Sequence, residues 1–369
     1  MKLIKNHLYL NLLETLVEAF PYWERLEGKT LYLAGASGML GSLLIDAVML
    51  RNEMQPLEIQ CRILAACRNR RRAEERFSHW LEKPGFTLLE QDISQPLTTL
   101  PVIPDFWIHA ASTTHPVAYA TEPVNTILSN VLGTHNLLER ASQTSQSRLL
   151  LLSSVEIYGE TRGDTEYFRE DYCGFLDCNT LRAGYPEAKR VSEALCQAYI
   201  AEKGVDAVII RLPRCYGPTM RMSDSKAVAQ FIKKAVRGED IVLKSEGDQL
   251  YSYAHAFDAV LGILWVLLSG ETGQAYNLAD ERSNIKLKDL AKIAADHTGK
   301  KVIFDLPNET ERRGYSTASK ALLDAGKLQA LGWKAHYNID DGLRAVIDIL
   351  RELEEFVVRD SNKGGDHPA

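Results

Sequence analysis

The stretch LYLAGASGMLGS, Leu31–Ser42, decides which fold this chain is expected to adopt. Its first four residues are apolar and predict a short buried strand, and Gly35, Gly38 and Gly41 follow at the spacing G-x-x-G-x-x-G. An apolar run over 43–50 then predicts a helix. A strand, a glycine turn and a helix in this order form a cradle for a dinucleotide pyrophosphate at the helix N-terminus. Glycine turns also join strands to helices for packing reasons alone.

The composition is that of an ordinary globular protein and excludes several functional classes. The 369 residues carry a net charge of −6, which gives no electrostatic reason to expect nucleic acid as a partner. The longest apolar run, 259–268, is shorter than the roughly 20 residues that span a bilayer, so no membrane partner is expected. The six cysteines form no C-x-x-C pair, and we therefore expect reduced thiols, a cytoplasmic location and no metal site.

Further apolar runs follow the glycine turn at the spacing of a doubly wound fold. Ile59–Cys67, Phe86–Leu89 and Phe106–Ala110 are typical of strands two to four, and 124–141 carries the apolar stripe of a helix. Leu149–Leu152 is uninterrupted, as expected for a central parallel strand that is buried on both faces. The predicted fold is α/β, a Rossmann-type doubly wound parallel sheet with a smaller, discontinuous α/β substrate lobe.

The end of the second strand leaves the phosphorylation state of the cofactor open. In many NAD-binding folds an acidic residue at this place bonds the adenosine ribose, whereas an arginine holds the extra phosphate of NADP. Here Arg68 stands at the strand end and further arginines follow it. The alternative is a solvated helix face on which Arg71 and Arg72 pair with Glu75 and Glu74. Both interpretations stay open.

Polar and small residues after strands three and four are candidates for cofactor contacts. Asp92 either bonds the adenine amino group or caps a turn through its own backbone. Ala110, Ala111 and Ser112 let the backbone approach a dinucleotide closely. His109 is expected to be structural rather than a catalytic base.

The candidate chemistry lies after the central strand. That strand ends in Ser154, and a helix expected to begin near Tyr185 carries Lys189 on the same face, four residues on. An ammonium beside a phenol favours the phenolate and lowers its pKa from about 10 toward neutrality. The tyrosine then becomes a usable base for the proton of an alcohol, while hydride leaves for nicotinamide. Ser154 is expected to share the hydrogen bond to the same oxygen.

These motifs together resemble the nucleotide-sugar epimerase/dehydratase family of extended short-chain dehydrogenases/reductases. The resemblance covers roughly residues 29 to 355 and is carried by GASGMLGS, HAAS, SSVEIYG, YPEAK and YGP at 216–218. Within the family it is greatest to UDP-glucuronate decarboxylases (UDP-xylose synthases). The stretches EDYCGFLDCNTLRAGYPEAKR and YGPTMRMSDSKAVAQFIKKAV resemble theirs without a gap.

The resemblance implies a reaction and a role for each matching residue. Members of the family oxidise a sugar hydroxyl to a ketone with bound NAD, perform a step on the activated ring and return the hydride. Tyr185 matches the base, Lys189 the residue that lowers its pKa and holds the nicotinamide ribose, and Ser154 the residue that bonds the reacting hydroxyl. The cofactor contacts implied are Gly35, Ser37, Gly38, Met39, Leu40, Gly41, Arg68, Asp92, Ala110, Ala111, Ser112, Asn130, Tyr185 and Lys189.

The residues after Ser154 favour some family reactions over others. The 4,6-dehydratases carry Asp-Glu there, and their aspartate protonates the leaving hydroxyl. This chain has Val155, which has no proton to give, followed by Glu156, which matches the retained glutamate. Decarboxylation or epimerisation therefore fits better than dehydration. Glu156 is expected to act in the site, the alternative being a cap or salt bridge.

The substrate side matches the family in part. Arg182 lies three residues before Tyr185, and Tyr119 matches a pocket tyrosine of the decarboxylases. Arg214 stands where the family has asparagine, and Tyr251 stands where it often has a diphosphate-binding arginine. Either one cation has moved across the site or the nucleotide differs.

The resemblance also implies a domain plan and a list of functions. We expect a nucleotide-sugar substrate, a homodimer, and NAD or NADP as cofactor. UDP-glucuronate decarboxylation is the first expectation, and epimerisation or 4,6-dehydration the next. A net NADPH-dependent reductase and a non-catalytic dinucleotide-binding regulator are alternatives from other classes. The expected segments are a helical extension (1–28), a dinucleotide-binding domain (29–212, with 250–272 returning to it), a substrate-binding lobe (213–249 and 273–358) and a disordered tail (359–369).

Overall fold

The structure is a computed structural model that describes residues 3–97, 100–112, 119, 121–305 and 319–363, with side chains up to 353. The strands are β1 Thr30–Ala34, β2 Arg62–Cys67, β3 Phe86–Glu90, β4 Phe106–His109, β5 Arg148–Ser154, β6 Asp206–Leu212, β7 Arg214–Tyr216, β8 Ile241–Leu243, β9 Leu250–His255, β10 Ala275–Asn277, β11 Asn284–Lys286, β12 Val302–Phe304 and β13 Lys320–Ala321. The helices within these residues are α1 His7–Ala19, α2 Met39–Glu53, α3 Arg70–Arg76, α4 Pro123–Ala141, α5 Gly184–Lys203, α6 Ala227–Val236, α7 Ala256–Ser269, α8 Leu287–His297, α9 Gly326–Ala330 and α10 Ile339–Lys363.

Seven of the described strands form one sheet in which all neighbours run parallel. Their order is β3-β2-β1-β4-β5-β6-β10. The order reverses between β1 and β4, and open α/β sheets bind ligands at such a point, beyond the carboxyl ends of the strands. The apolar residues of β5 are buried, as expected for the central strand. The predicted Rossmann-type doubly wound sheet is confirmed.

The chain beyond β6 crosses between the large sheet and smaller sheets. β9 pairs with β7, β11 and β13, and β8 pairs with β12. Within the stretch 250–272, expected to return to the large sheet, β9 belongs to a smaller sheet and α7 packs on α2 and β6. β10 then extends the large sheet at 275–277, just beyond the expected boundary. Strand pairing between distant segments decides these boundaries.

The N-terminal helix is anchored to the large domain through one buried carboxylate. Asp46 on α2 is fully buried and accepts hydrogen bonds from the Tyr9 hydroxyl (2.5 Å) and the Trp80 indole (2.8 Å). Arg76 on α3 forms an ion pair with the same carboxylate. Three segments that are distant in sequence therefore meet at Asp46.

The C-terminal helix extends further than predicted. α10 includes residues 359–363, which the composition assigned to a disordered tail, and 364–369 lie outside the described residues. Leucine, glutamate and arginine in RELEEFVVRD are helix formers, which favours this continuation. In the part of the chain that the structure describes, no helix combines the length and the apolar character needed to cross a membrane.

Candidate active site

A cleft opens at the carboxyl ends of β1, β4 and β5. The space within it and at its open mouth amounts to about 1220 Å³. The predicted site residues that line it are Gly35, Gly38, Met39, Leu40, Gly41, Ala110, Ser112, Tyr119, Ser154, Glu156, Tyr185, Lys189 and Arg214.

Packing alone requires two of the three glycines in the turn. Gly35 has a φ of +83°, and a Cβ there would lie 2.6 Å from the carbonyl carbon of Ala110. A Cβ on Gly41 would lie 2.7 Å from the Gly35 oxygen. Both glycines let the turn pack against α2 and the end of β4, whether or not a ligand binds.

The third glycine leaves the N-terminus of α2 open toward the cleft. Gly38 is the N-cap residue and offers no side chain to the amides of the first turn. Met39, Leu40 and Gly41 form that turn and line the cleft. Amides in the first turn of a helix have no acceptor within the helix, so this end fits a pyrophosphate. The residues present therefore fit a dinucleotide.

Three hydroxyl groups meet on the opposite wall of the cleft. Tyr185, in the first turn of α5, hydrogen-bonds with the hydroxyls of Ser154 and Ser112. Ser112 in turn donates to Asn130 Oδ1 over 3.0 Å. Asn130 is fully buried and donates to the Thr126 carbonyl, so it orients Ser112 instead of lining the cleft as predicted.

The surroundings of Tyr185 favour its protonated form. Burial raises the pKa of the Tyr185 phenol, and the nearby Glu156 carboxylate raises it further. The hydrogen bonds between Tyr185 and the two serines lower that pKa, as does the charge of Arg182, but burial outweighs them. In the chain by itself, the candidate base is therefore a neutral phenol.

Lys189 lies one helical turn after Tyr185 but points to the backbone. Its ammonium donates to the Leu152 carbonyl over 2.8 Å and lies 6.0 Å from the Tyr185 ring centroid. Burial lowers the pKa of Lys189 to about 8. The predicted lowering of the phenol pKa toward neutrality is not found in the chain by itself, where burial raises that pKa.

Predicted substrate-side residues form a continuous stack beside the phenol. The rings of Tyr119 and Tyr185 are stacked, with centroids 5.0 Å apart and planes 18° apart. The Arg182 guanidinium lies 5.2 Å from the Tyr119 centroid and pairs with Glu156 over 2.9 Å. Glu156 thus makes a salt bridge and lines the cleft at the same time.

Arg214 and Tyr251, the two residues that depart from the family pattern, lie in contact. The guanidinium carbon of Arg214 lies 3.4 Å from the centroid of the Tyr251 ring. Arg214 Nη1 is buried without a hydrogen-bond partner among the described residues. Arg214 lines the cleft and Tyr251 lies against it as an aromatic platform. This arrangement fits the hypothesis of one cation moved across the site.

Several other predicted contacts lie beside the cleft. Asp92 Oδ1 accepts from the amide and the hydroxyl of Ser94 at 2.9 and 2.7 Å, which is the turn-capping alternative. Ala111 is not among the cleft-lining residues, although it follows Ala110. His109 is fully buried, and burial lowers its pKa to about 3, so it is neutral as a structural residue would be.

Of the two ion pairs predicted for the arginines after β2, the pair of Arg71 with Glu75 is confirmed. Arg70 binds Glu74 over 2.7 Å and Arg71 binds Glu75 over 3.3 Å. The predicted pairing of Arg72 with Glu74 is wrong, because residues two apart do not face each other on a helix. Within the described residues, Arg72 is left without an ion pair.

Three charged residues of the cleft were not identified from the sequence. Arg221, Asp224 and Lys226 line it, and the facing charges of the last two lie 3.8 Å apart. Arg221 Nη2 lies 3.3 Å from the Ser37 carbonyl oxygen and 3.4 Å from its hydroxyl. The gap-free resemblance over YGPTMRMSDSK was the signal that could have identified these residues.

Known proteins resemble the chain over most of its length. A profile described as "NAD dependent epimerase/dehydratase family" matches residues 31–279. UDP-glucuronic acid decarboxylase 1 of Xenopus tropicalis is 28% identical over 351 residues, which are 93% of this chain and 78% of that protein. UDP-glucuronic acid decarboxylase 3 of Arabidopsis thaliana is 28% identical over 314 residues, 84% of this chain and 86% of that protein. The crystal structure of UDP-glucuronic acid 4-epimerase from Bacillus cereus, in complex with UDP-glucuronic acid and NAD, matches with a TM-score of 0.73 at 18% identity, covering 88% of this chain and 99% of that one.

Proposed function

The chain belongs to the NAD-dependent epimerase/dehydratase family, and we propose that within it the chain decarboxylates UDP-glucuronate through a 4-keto sugar. The two relatives described above are UDP-glucuronic acid decarboxylases, which supports this substrate. The observation that carries the choice of reaction is Val155, which lines the cleft between Ser154 and Glu156. Dehydration needs an acid at this place to protonate the leaving hydroxyl, and valine has no proton to give.

The first step is oxidation of the sugar 4-hydroxyl. A bound nicotinamide dinucleotide would accept the hydride and would supply a positive charge that favours the phenolate form of Tyr185. Tyr185 removes the hydroxyl proton, and Ser154, which hydrogen-bonds to Tyr185, holds the same oxygen. Lys189 is mostly an ammonium below its pKa of about 8 and holds the nicotinamide ribose.

The second step is loss of carbon dioxide. A ketone on the fourth carbon lies next to the carbon that bears the carboxylate. The bond between that carbon and the carboxylate breaks, carbon dioxide leaves, and the ketone oxygen accepts the electron pair. The hydroxyls of Ser154 and Tyr185 stabilise the resulting enolate oxygen. Addition of a proton from water to the ring carbon, return of the hydride to the ketone carbon and return of the proton from Tyr185 to the ketone oxygen would then give a UDP-pentose.

We assign the cationic and aromatic residues of the substrate side to two ends of the ligand. Arg214, which lies flat on Tyr251 with a buried and unpartnered Nη1, binds the diphosphate. Tyr119 and Arg182 contact the sugar, because their stack begins on the Tyr185 ring.

Epimerisation at the fourth carbon is the second candidate function. It uses the same ketone and also needs no acid at Val155. The observation that favours it is the structural similarity to a UDP-glucuronic acid 4-epimerase over 88% of this chain. The two candidates differ in the product formed from the same substrate.

Incubation with UDP-glucuronate, followed by NMR, tests the proposal. We expect carbon dioxide and a UDP-pentose, and no turnover of UDP-glucose or UDP-galactose. Formation of UDP-galacturonate without release of carbon dioxide would show that the chain is an epimerase and not a decarboxylase. No product from UDP-glucuronate in protein with bound dinucleotide would overturn both candidates.

Association and location are further proposals. We propose a homodimer through α4 and α5, because α4 exposes Val124, Leu128 and Leu132 along one face and α5 exposes Val191. We propose a cytoplasmic location because all six cysteines are free thiols in the structure. Both follow the expectation for the family.

A further inference from the structure

Arg68 and Arg221 come from two distant parts of the chain and lie beside the glycine turn, and Arg72 is near enough to Arg221 for their charges to repel each other. The turn is bound to β2, because the amides of Gly35 and Ala36 both donate to the Ala66 carbonyl at 3.1 Å. Arg68 comes two residues after Ala66, directly beyond the end of β2. The first arginine therefore stands beside the turn, where the adenosine ribose of a dinucleotide lies in this fold.

Arg221 reaches the same place from the substrate side of the cleft. The Thr219 hydroxyl donates to the Met39 carbonyl over 2.8 Å, which fixes the segment to the first turn of α2. Two residues later, Arg221 contacts the Ser37 carbonyl oxygen at 3.3 Å. Arg221 is half-buried and lines the cleft. This segment thus closes a cationic site over the glycine turn.

The charges of these arginines are not neutralised by carboxylates. Arg70 and Arg71 pair with glutamates on α3, but Arg68 and Arg72 make no ion pair within the described residues. Burial lowers the pKa of Arg221, and repulsion from Arg72 and Arg68 lowers it further, against the weaker effect of Asp224. Like charges held together without partners cost free energy, so the arrangement favours an anion between them.

We propose that Arg68, Arg72 and Arg221 bind the 2′-phosphate of NADP, and that the chain prefers NADP to NAD. A free ribose diol is bound by a carboxylate at the end of β2, and Arg68 stands there instead. A phosphate ester offers several acceptor oxygens to guanidinium groups, which bind it through charge-assisted hydrogen bonds. The site therefore disfavours NAD for two reasons. It lacks the carboxylate that binds the ribose diol, and NAD has no phosphate at this place to pair with the arginines.

The inference deepens the cofactor part of the proposed function and is independent of the substrate. A chain that does not act on UDP-glucuronate but prefers NADP leaves this inference intact. A chain that decarboxylates UDP-glucuronate with NAD alone overturns it. Failure of the two proposals is thus distinguishable by separate measurements.

The first test identifies the dinucleotide that copurifies. The purified protein is denatured and the released nucleotide identified by mass spectrometry. We expect NADP or NADPH, and stoichiometric NAD or NADH would overturn the inference. For protein freed of nucleotide, calorimetric titration with NADP and NAD should give at least about tenfold tighter binding of NADP, as expected from one charge-assisted hydrogen bond. Equal affinities would also overturn it.

Variants then assign the preference to the three residues. Arg68→Ala, Arg72→Ala and Arg221→Ala should each weaken NADP binding about tenfold or more and leave NAD binding within about twofold. Arg71→Ala is the matched control, because Arg71 lies in the same run but pairs with Glu75. Equal losses for NADP and NAD, or the same loss in Arg71→Ala, would contradict the assignment. Circular dichroism of each variant excludes unfolding as the cause.

Discussion

At the scale of single residues, the proposed chemistry depends on the protonation state of the Tyr185 hydroxyl. The phenol is buried against the Tyr119 ring and bonded to two serine hydroxyls, and burial raises its pKa. The ammonium of Lys189 binds a backbone carbonyl in the same wall. In the proposed mechanism Tyr185 therefore becomes a base when the dinucleotide is bound, which links proton removal to cofactor binding.

Substitution of Arg214 tests the diphosphate contact at the same scale. Arg214→Met should raise the KM for the nucleotide sugar about 10- to 100-fold, because a charge-assisted hydrogen bond is lost, and should leave dinucleotide affinity unchanged. Steady-state kinetics and calorimetry measure the two quantities. Tyr251→Phe keeps the aromatic platform and serves as the control with a KM near that of the parent chain. A KM unchanged in Arg214→Met would remove Arg214 from the substrate site.

The sequence predicted the identity of most cleft residues but not their interactions. Gly38, Ser154 and Tyr185 are recognisable because a turn, a strand end and a helical spacing each restrict the residue types. The raised pKa of Tyr185 depends on burial by segments far apart in sequence, so spacing could not reveal it. Arg221 reaches the cleft from the substrate side, and only the gap-free resemblance over YGPTMRMSDSK indicated it.

At the scale of elements, helices α1, α2 and α3 are joined through the carboxylate of Asp46. Tyr9 and Trp80 donate to it and Arg76 pairs with it, while the side chain is fully excluded from solvent. A buried ion pair of this kind gives little net stability, but removing one partner leaves the other charge buried and unpaired. The position of α3, which carries Arg72, is thus coupled to the N-terminal helix.

Asp46→Asn should destabilise the protein by about 3–5 kcal/mol, since Arg76 then keeps an uncompensated buried charge. Chemical denaturation monitored by circular dichroism measures the free energy of unfolding. Glu75→Gln, which removes an exposed ion pair with Arg71, is the control and should change it by less than about 0.5 kcal/mol. Similar small effects in both variants would show that the Asp46 cluster is not a structural anchor.

Helix α7 carries a second buried carboxylate, with a pH-dependent contribution to stability. Asp258 accepts from the amides of His336 and Tyr337 at 2.6 and 3.2 Å, and burial raises its pKa from 3.8 to about 7. Between these values the folded chain holds a proton that the unfolded chain releases. The contribution of Asp258 to the free energy of unfolding therefore falls as the pH rises from about 4 to about 7.

Asp258→Asn removes that titration and tests its direction. The stability of the parent chain relative to Asp258→Asn should be greater at pH 5 than at pH 7.5, measured by denaturant unfolding at both values. The variant keeps one carbonyl acceptor for the two amides, so its fold is retained. A difference between the two proteins that does not change with pH would contradict the raised pKa of Asp258.

The elements themselves were predictable where burial depends on local pattern. β1, β3 and β4 lie within a residue of the apolar runs that predicted them, because short apolar runs between turns favour strands. The pairing of β9 with β7, β11 and β13 was not predictable, because the partners come from distant segments. Helix α10 continues to Lys363, beyond residue 358, where the composition predicted that the folded part of the chain ends.

At the scale of the whole molecule, the cleft lies between the carboxyl edge of the large sheet and the segments that follow β6. Arg214 and Arg221 come from those segments, whereas Tyr185 and Lys189 belong to α5. The opposite face of α4 and α5 exposes apolar side chains, with Val124 67% and Leu128 45% exposed. Association through this face would stiffen the helix that carries Tyr185.

Leu128→Glu should convert the proposed dimer to a monomer, because a charge in an apolar interface is costly to bury. Size-exclusion chromatography with light scattering measures the mass. Leu57→Glu, at a comparably exposed leucine ahead of β2, is the control and should leave the mass unchanged. A parent chain that is already monomeric, or a dimer that survives Leu128→Glu, would refute this interface.

The central claim is that the Tyr185 hydroxyl removes the proton from the sugar, and one measurement tests it most directly. The absorbance of reduced nicotinamide is followed in a single turnover after UDP-glucuronate is added to the protein with bound dinucleotide. The parent chain should show transient reduction, and Tyr185→Phe, which keeps the ring stacked on Tyr119, should show it about 100-fold more slowly or not at all. Transient reduction at the parent rate in Tyr185→Phe would contradict the claim.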